Sequence, residues 1–77
     1  MKNKELQKLI EDVGDLIVLP EDEIPTVATV NDPEKLSEQA FFANAKEGDK
    51  VLIYTNARKA ILYDPVAGKI LEVAPLN

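Results

Sequence analysis

The sequence predicts an α+β fold with an N-terminal helix followed by the element order β-α-β-β-β. Near the N-terminus, apolar residues recur three and four positions apart, which is the spacing of a helical stripe. An alternating β-branched run and a second helical pattern come next. The last part of the chain then holds three strand-like runs joined by short turns. We therefore expect a four-stranded, mainly antiparallel sheet whose last three strands form a meander.

The N-terminal stripe has two interpretations. Leu6, Leu9, Val13 and Leu16 are spaced three, four and three residues apart, which suits an amphipathic helix packed on the domain's own sheet. The same spacing gives two heptads of a and d positions, as at the end of a coiled-coil stalk that continues upstream. Residues 16–19 are also apolar and β-branched enough for a short strand, so the end of the helix stays open.

We expect three parts along the chain. Residues 1–19 form the amphipathic helix or stalk end, and residues 20–25, PEDEIP, form an acidic linker between two prolines. Residues 26–77 form a compact head domain.

The head domain begins with the alternating run TVATV, which predicts a strand over residues 26–30. A helix over residues 33–46 follows, because Pro33 suits the first helical position and Gly48 suits the position after its C-terminus. Leu36 and Phe41 belong to the inward stripe of this helix.

The meander consists of Lys50 to Thr55, Ala60 to Tyr63, and Lys69 to Ala74. The connecting stretches TNARK and DPVAG have turn-forming compositions, and Asn56 is the residue expected to tolerate the left-handed region. The runs VLIY and AILY are apolar at consecutive positions, so both faces of the sheet need to be covered. We expect the helix over residues 33–46 on one face, and either the N-terminal helix or another molecule on the other.

The chemistry of the chain disfavours catalysis. Its 77 residues contain no His and no Cys, so the commonest metal ligands and nucleophile–base pairs are missing. The only serine, Ser37, has no histidine to activate it, and the three glycines are too scattered to form a phosphate-binding loop. Asp64, beside Pro65, is interpreted as a turn residue. We expect no catalytic, cofactor-binding or metal-binding residues and no enzyme activity.

The charge of the chain disfavours nucleic acid as a partner. The net charge is −5, with −4 in residues 1–24 and −1 in residues 25–77, whereas a nucleic-acid binder needs a basic face.

The remaining candidates for function are contact residues. Arg58 and Lys59 lie in the first predicted hairpin turn, near Tyr54 and Tyr63. Such a basic turn beside aromatic rings is suited to an anionic group or an acidic peptide. The alternative is that turns are simply polar and that tyrosine is a common strand residue.

The phrases FFANAKEGDKVLIYTNARKAILY and ILEVAP resemble an uncharacterised bacterial family of the candidate phyla radiation, and the similarity covers roughly residues 13–77. In that family the domain is the C-terminal, extracytoplasmic part of small single-pass membrane proteins, and it follows a helical stalk. Relatives often have proline at the position of Ala40 and arginine at that of Asp64. The resemblance thus implies a helix that is continuous here near Ala40. It also casts doubt on any role of a basic residue at position 64 in this protein, since the residue here is Asp64.

We therefore expect a non-enzymatic protein interaction or assembly module on a membrane-anchored stalk outside the cytoplasmic membrane. Its partner would be another protein or, through an exposed apolar face or sheet edge, a second copy in a homodimer. On this expectation Met1 is not the native start, and the membrane is reached only through a missing upstream segment. The alternative is a cytoplasmic regulatory or dimerisation module, antitoxin-like or transcription-associated.

Overall fold

A computed structural model describes residues 2–36 and 38–76, and it confirms the α+β fold with a C-terminal meander. The chain begins with a helix and continues into a four-stranded sheet, with one short helix and one 3-10 turn between the first two strands. The elements are α1 (Lys2–Gly14), β1 (Thr26–Thr29), α2 (Pro33–Leu36), the 3-10 turn (Ala40–Phe42), β2 (Lys50–Tyr54), β3 (Lys59–Asp64) and β4 (Lys69–Pro75).

The four strands lie in the sheet in the order in which they occur in the sequence, and every neighbouring pair is antiparallel. Short turns join β2 to β3 and β3 to β4, so each of these pairs is a hairpin of strands that are adjacent in sequence. One irregularity lies in β4: Tyr63 pairs with Ile70 but Leu62 pairs with Glu72, which leaves Leu71 as an extra residue. A bulge of this kind twists an edge strand and makes it less able to pair with another chain.

Both faces of the sheet are apolar and both are covered, as the sequence predicts. On one side, here called the helix face, Leu52, Tyr54 and Ile61 are fully buried together with Val13 of α1. On the other side, the loop face, Val51 and Leu62 pack with Val30 and are covered by apolar residues from the end of α2 and from the loop after it. These covering residues are Leu36, Phe41, Phe42 and Ala45.

Of the two interpretations of the N-terminal helix, the structure shows packing on the domain's own sheet. Val13 is completely buried, and Leu9 and Ile17 contact the same cluster. Leu9 and Val13 are among the side chains that a coiled coil would present to a neighbouring helix. The helix ends at Gly14, and residues 16–19 form a turn and an extended connection with no strand pairing. The short-strand interpretation of this stretch is therefore wrong.

The prediction of one helix over residues 33–46 is also wrong. The helix stops at Leu36, and Gln39 is already extended, with φ −89° and ψ 126°. Phe41 and Phe42 then both pack on the loop face. Their rings are arranged edge to face, with the ring centroids 4.9 Å apart. Both rings therefore reach the loop face from the 3-10 turn and not from an α-helix. The continuity near Ala40 that the resemblance implies is therefore absent, and Ser37 lies outside the described residues.

Shortening Val13 to alanine should lower the free energy of unfolding by about 2 kcal/mol, because two buried methyl groups are lost and a cavity is left. Val66 offers a matched control, since it is 95% exposed in the turn between β3 and β4. Val66→Ala should change the free energy by less than about 0.5 kcal/mol. Urea unfolding followed by circular dichroism measures both values. Equal effects at the two positions would contradict the packing of α1 on the sheet.

Candidate interaction surface

The four predicted contact residues do not share one surface. Arg58 is exposed in the turn between β2 and β3, and Lys59 is half-buried at the start of β3. Tyr54 and Tyr63, by contrast, are buried in the helix face beneath α1, with 0% and 4% of their surface exposed. The two basic residues, here called the basic turn, are accessible to a partner, whereas the two tyrosines belong to the core. The accompanying expectation that Asn56 takes the left-handed conformation is wrong: that residue is Arg58, with φ 57°.

The Tyr54 hydroxyl is a core group as well. It is buried without a hydrogen-bond partner among the described residues. Burial, and after it the charge of Glu23, raises the pKa of Tyr54 above its ordinary value. The hydroxyl therefore stays neutral at physiological pH and is not placed to bind a partner.

The acidic stretch of residues 20–25 is fastened to the first hairpin through Glu23. One carboxylate oxygen, Oε2, accepts a hydrogen bond from the Asn56 N–H at 2.8 Å and one from the Thr55 hydroxyl at 3.2 Å. The other, Oε1, accepts one from the Ala57 N–H at 3.1 Å. The Asn56 bond is the largest influence, and together these bonds hold the pKa of Glu23 below its usual value, so the carboxylate is ionised at neutral pH.

The sequence does not reveal this contact between Glu23 and the first hairpin turn. Hairpin turns leave backbone N–H groups that need an acceptor, but the sequence does not indicate that the acceptor comes from more than thirty residues away. The expectation of a solvated acidic linker fits Glu21 and Asp22, which are exposed, and does not fit Glu23. The contact attaches the connection between α1 and β1 to the end of the sheet.

This connection exposes apolar side chains. Val18 is 92% exposed, Ile24 77% and Leu16 48%. Beside them an open cleft of about 500 Å³ is lined mainly by apolar residues of α1 and of the connection, with Glu21 and Glu23 at its edge. Residues 10–24 contain six acidic residues and no basic residue. We call the part from Leu16 to Ile24 the acidic segment, because it holds exposed apolar side chains on both sides of three consecutive acidic residues, 21–23.

The acidic segment and the basic turn are neighbours on the surface. Glu23 belongs to the first, and its two backbone donors, Asn56 and Ala57, directly precede Arg58 of the second. Within the described part of the chain, neither Glu21 nor Asp22 forms a salt bridge with Arg58 or Lys59. Opposite charges thus lie side by side without neutralising each other.

On the loop face, Lys46 joins two buried carboxylates. Its ammonium forms a salt bridge with Asp64 Oδ2 and lies 3.9 Å from Asp49 Oδ2, and its backbone N–H donates to that Asp49 oxygen at 2.7 Å. Asp64 Oδ1 also accepts the N–H groups of Val66 and Ala67 at 2.9 and 3.1 Å. The turn role predicted for Asp64 is present, and its pairing with Lys46 is an addition that the sequence does not indicate.

These contacts change the proton affinities of both partners. The hydrogen bond from Lys46, and after it the Ala67 N–H, holds the pKa of Asp64 below its ordinary value. The hydrogen bond to Asp64, in turn, raises the pKa of Lys46. Both groups are therefore charged at neutral pH, and they tie the loop that covers Val51 and Leu62 to the end of β3.

Comparison with protein-family models, with curated proteins and with solved structures finds no match for this chain. No helix of residues 2–36 and 38–76 combines the length and the apolar character that crossing a bilayer requires. Over those residues, no group of three or more acidic side chains is arranged to hold a metal ion. The candidate surface therefore rests on the contacts of this chain alone.

Asp64→Asn should make stability less dependent on acid pH. The folded-state pKa of Asp64 is lowered. The carboxylate therefore contributes fully to the free energy of unfolding above the unfolded-state pKa of about 3.9. This contribution is then lost as the pH falls through the folded-state value. Thermal unfolding from about pH 7 to about pH 3 should show a lower Tm for the variant at neutral pH and a smaller decrease on acidification.

The exposed Asp22 provides the control for that experiment. Asp22→Asn should leave the Tm at neutral pH and its decrease in acid close to those of the wild type. If Asp64→Asn also behaved like the wild type, the ion pair with Lys46 would not stabilise the fold.

Proposed function

We propose that this protein is a non-enzymatic protein interaction or assembly module, and that its contact surface is the acidic segment with the neighbouring basic turn. The proposal rests chiefly on the exposure of Val18 and Ile24 on a segment that Glu23 holds in place. Grouped apolar side chains rimmed by charges are characteristic of surfaces that bind another protein. A fixed surface of this kind loses less conformational entropy on binding than a free linker does.

The positions of the ionisable groups support a non-enzymatic role. Lys46, Asp49 and Asp64 satisfy one another and nearby backbone groups, so they act in holding a loop to the sheet. The Tyr54 hydroxyl is buried and has no hydrogen-bond partner among the described residues. A general acid or base needs access to a substrate proton, and these groups are engaged or covered instead.

We further propose that the module is displayed on a membrane-anchored stalk outside the cytoplasmic membrane. The support is the resemblance of residues 13–77 to the extracytoplasmic domain family, in which a transmembrane helix and a stalk precede this domain. In this arrangement α1 serves two purposes: its C-terminal half covers the sheet through Leu9 and Val13, and its N-terminus leads to the stalk.

The location can be tested in cells that produce the native gene product. We expect the product in the membrane fraction, with its head domain cut by protease added to the outside of intact cells. A product that stays in the soluble fraction and is protected from external protease would contradict the membrane-anchored display. That result would favour the alternative, a cytoplasmic regulatory or dimerisation module.

The contact surface can be tested by photo-crosslinking in the same cells. A photoreactive residue placed at position 18 should form a discrete covalent adduct, because Val18 lies on the proposed surface. The matched control is position 66, where the native valine is equally exposed, at 95% against 92%, but lies in the turn between β3 and β4. Mass spectrometry identifies the adducts. Equal crosslinking at both positions, or none at position 18, would refute the proposed surface.

A further inference from the structure

We propose that the acidic segment and the basic turn form a self-complementary interface, through which two copies of this chain associate about a twofold axis. In this dimer, Glu21 and Asp22 of each copy face Arg58 and Lys59 of the other, and Val18 and Ile24 are buried between them. The inference rests on the proposed function, since it names the partner of the same surface.

The twofold arrangement follows from the adjacency of the two charged patches. In a symmetric dimer each patch must contact the partner's complementary patch, and the axis passes between them. Here the hydrogen bonds from Asn56 and Ala57 to Glu23 keep the acidic segment beside the basic turn. One rotation therefore brings both pairs of opposite charges together, and the interface contains each pair twice.

The charges are available for such contacts. Glu21, Asp22 and Arg58 are exposed, and within the described residues they form no salt bridge with one another. The acidic segment alone would repel a second acidic segment. The basic turn is therefore the feature that makes contact between two copies favourable.

The amount of exposed surface is consistent with a dimer. The chain exposes 5607 Å², whereas a compact monomer of its mass exposes about 4,700 Å². The excess over the whole chain is roughly 900 Å², which is large enough to include the ~800 Å² that each partner buries in a standard protein interface. Burial of Val18 and Ile24 would supply the apolar part of the association free energy.

The surface is also positioned before association. Arg58 has a left-handed backbone with φ 57°, and the turn that precedes it is bonded to Glu23 through backbone N–H groups. The basic turn and the acidic segment thus keep their relative positions in the monomer. An anionic membrane surface fits this patch less well, because Glu21 and Asp22 would be repelled by lipid phosphates.

A charge-reversal experiment tests the inference on the whole chain. One variant carries Glu21→Lys with Asp22→Lys, and a second carries Arg58→Glu with Lys59→Glu. Each variant alone should self-associate at least about tenfold more weakly than the wild type, since like charges then face each other. Mixed together, the two variants should form a heterodimer, because both pairs of charges are again opposite. Sedimentation equilibrium measures all of these associations.

The control variant carries Glu38→Lys with Glu47→Lys. It makes the same change in net charge as the acid reversal but lies on exposed positions of the loop that covers the other sheet face. It should dimerise like the wild type. Circular dichroism and thermal unfolding show whether each variant is folded. If either reversal fails to fold, Val18→Ser with Ile24→Ser removes the apolar part of the interface and should also weaken the wild-type dimer.

A wild-type chain that stays monomeric at all concentrations would overturn the inference, as would a dimer that is unaffected by either reversal. These results can be separated from failure of the proposed function. If the chain is monomeric but position 18 crosslinks to a different protein, the interaction surface stands and the second copy is not its partner. If position 18 forms no preferential adduct, the surface itself is refuted.

Discussion

Most of this structure depends on a central β-hairpin that is apolar on both faces. Leu52 and Ile61 face one side, and Val51 and Leu62 face the other, all of them almost fully buried. A sheet of this kind is stable in water only when each face is covered, and the chain has one segment available for each. The helix α1 covers the first face, and the irregular loop after α2 covers the second. Many small domains are stabilised by disulfides. This chain is short and contains no cysteine, so its stability depends on the packing of these two covering segments.

Each cover is attached to a hairpin turn by a carboxylate. Glu23, at the end of the connection from α1, binds the β2–β3 turn, and Asp64, beside the β3–β4 turn, binds Lys46 of the loop. The two turns lie at opposite ends of β3, so the attachments act on opposite ends and opposite faces of the sheet. Both carboxylates have lowered pKa values because the folded chain donates hydrogen bonds to them. Acid therefore weakens both attachments, and stability decreases as the pH falls through their folded-state pKa values.

The sequence predicts the regular part of this arrangement and misses the irregular part. The spacing of apolar residues locates α1 and the four strands. Buried side chains such as Val13 and Leu52 have to recur on one face, and this recurrence has a different fixed period in a helix and in a strand. The end of α2 at Leu36 and the packing of Phe41 and Phe42 from a 3-10 turn are tertiary features, and the stripe of apolar residues does not distinguish them from a continuous helix. The contacts of Glu23 and Lys46 join residues that are distant along the chain, so no short motif contains them. The burial of Tyr54 and Tyr63 also depends on a distant segment, because α1 covers them. The sequence around the two tyrosines therefore does not distinguish core residues from contact residues.

The acidic segment exposes apolar side chains that the packing of the core does not account for. Along residues 16–19 the side chains alternate in burial: Ile17 and Leu19 contact the core, while Leu16 and Val18 point to solvent. Contact with the core explains Ile17 and Leu19, whereas it does not explain the apolar residues at the exposed positions 18 and 24. The Glu23 contact holds these exposed side chains in fixed positions beside the basic turn. An exposed apolar side chain is not unusual by itself, as Val66 shows. Val18 and Ile24 differ from Val66 because the Glu23 contact holds their segment beside charges of both signs, which is the arrangement that the proposed interaction surface uses.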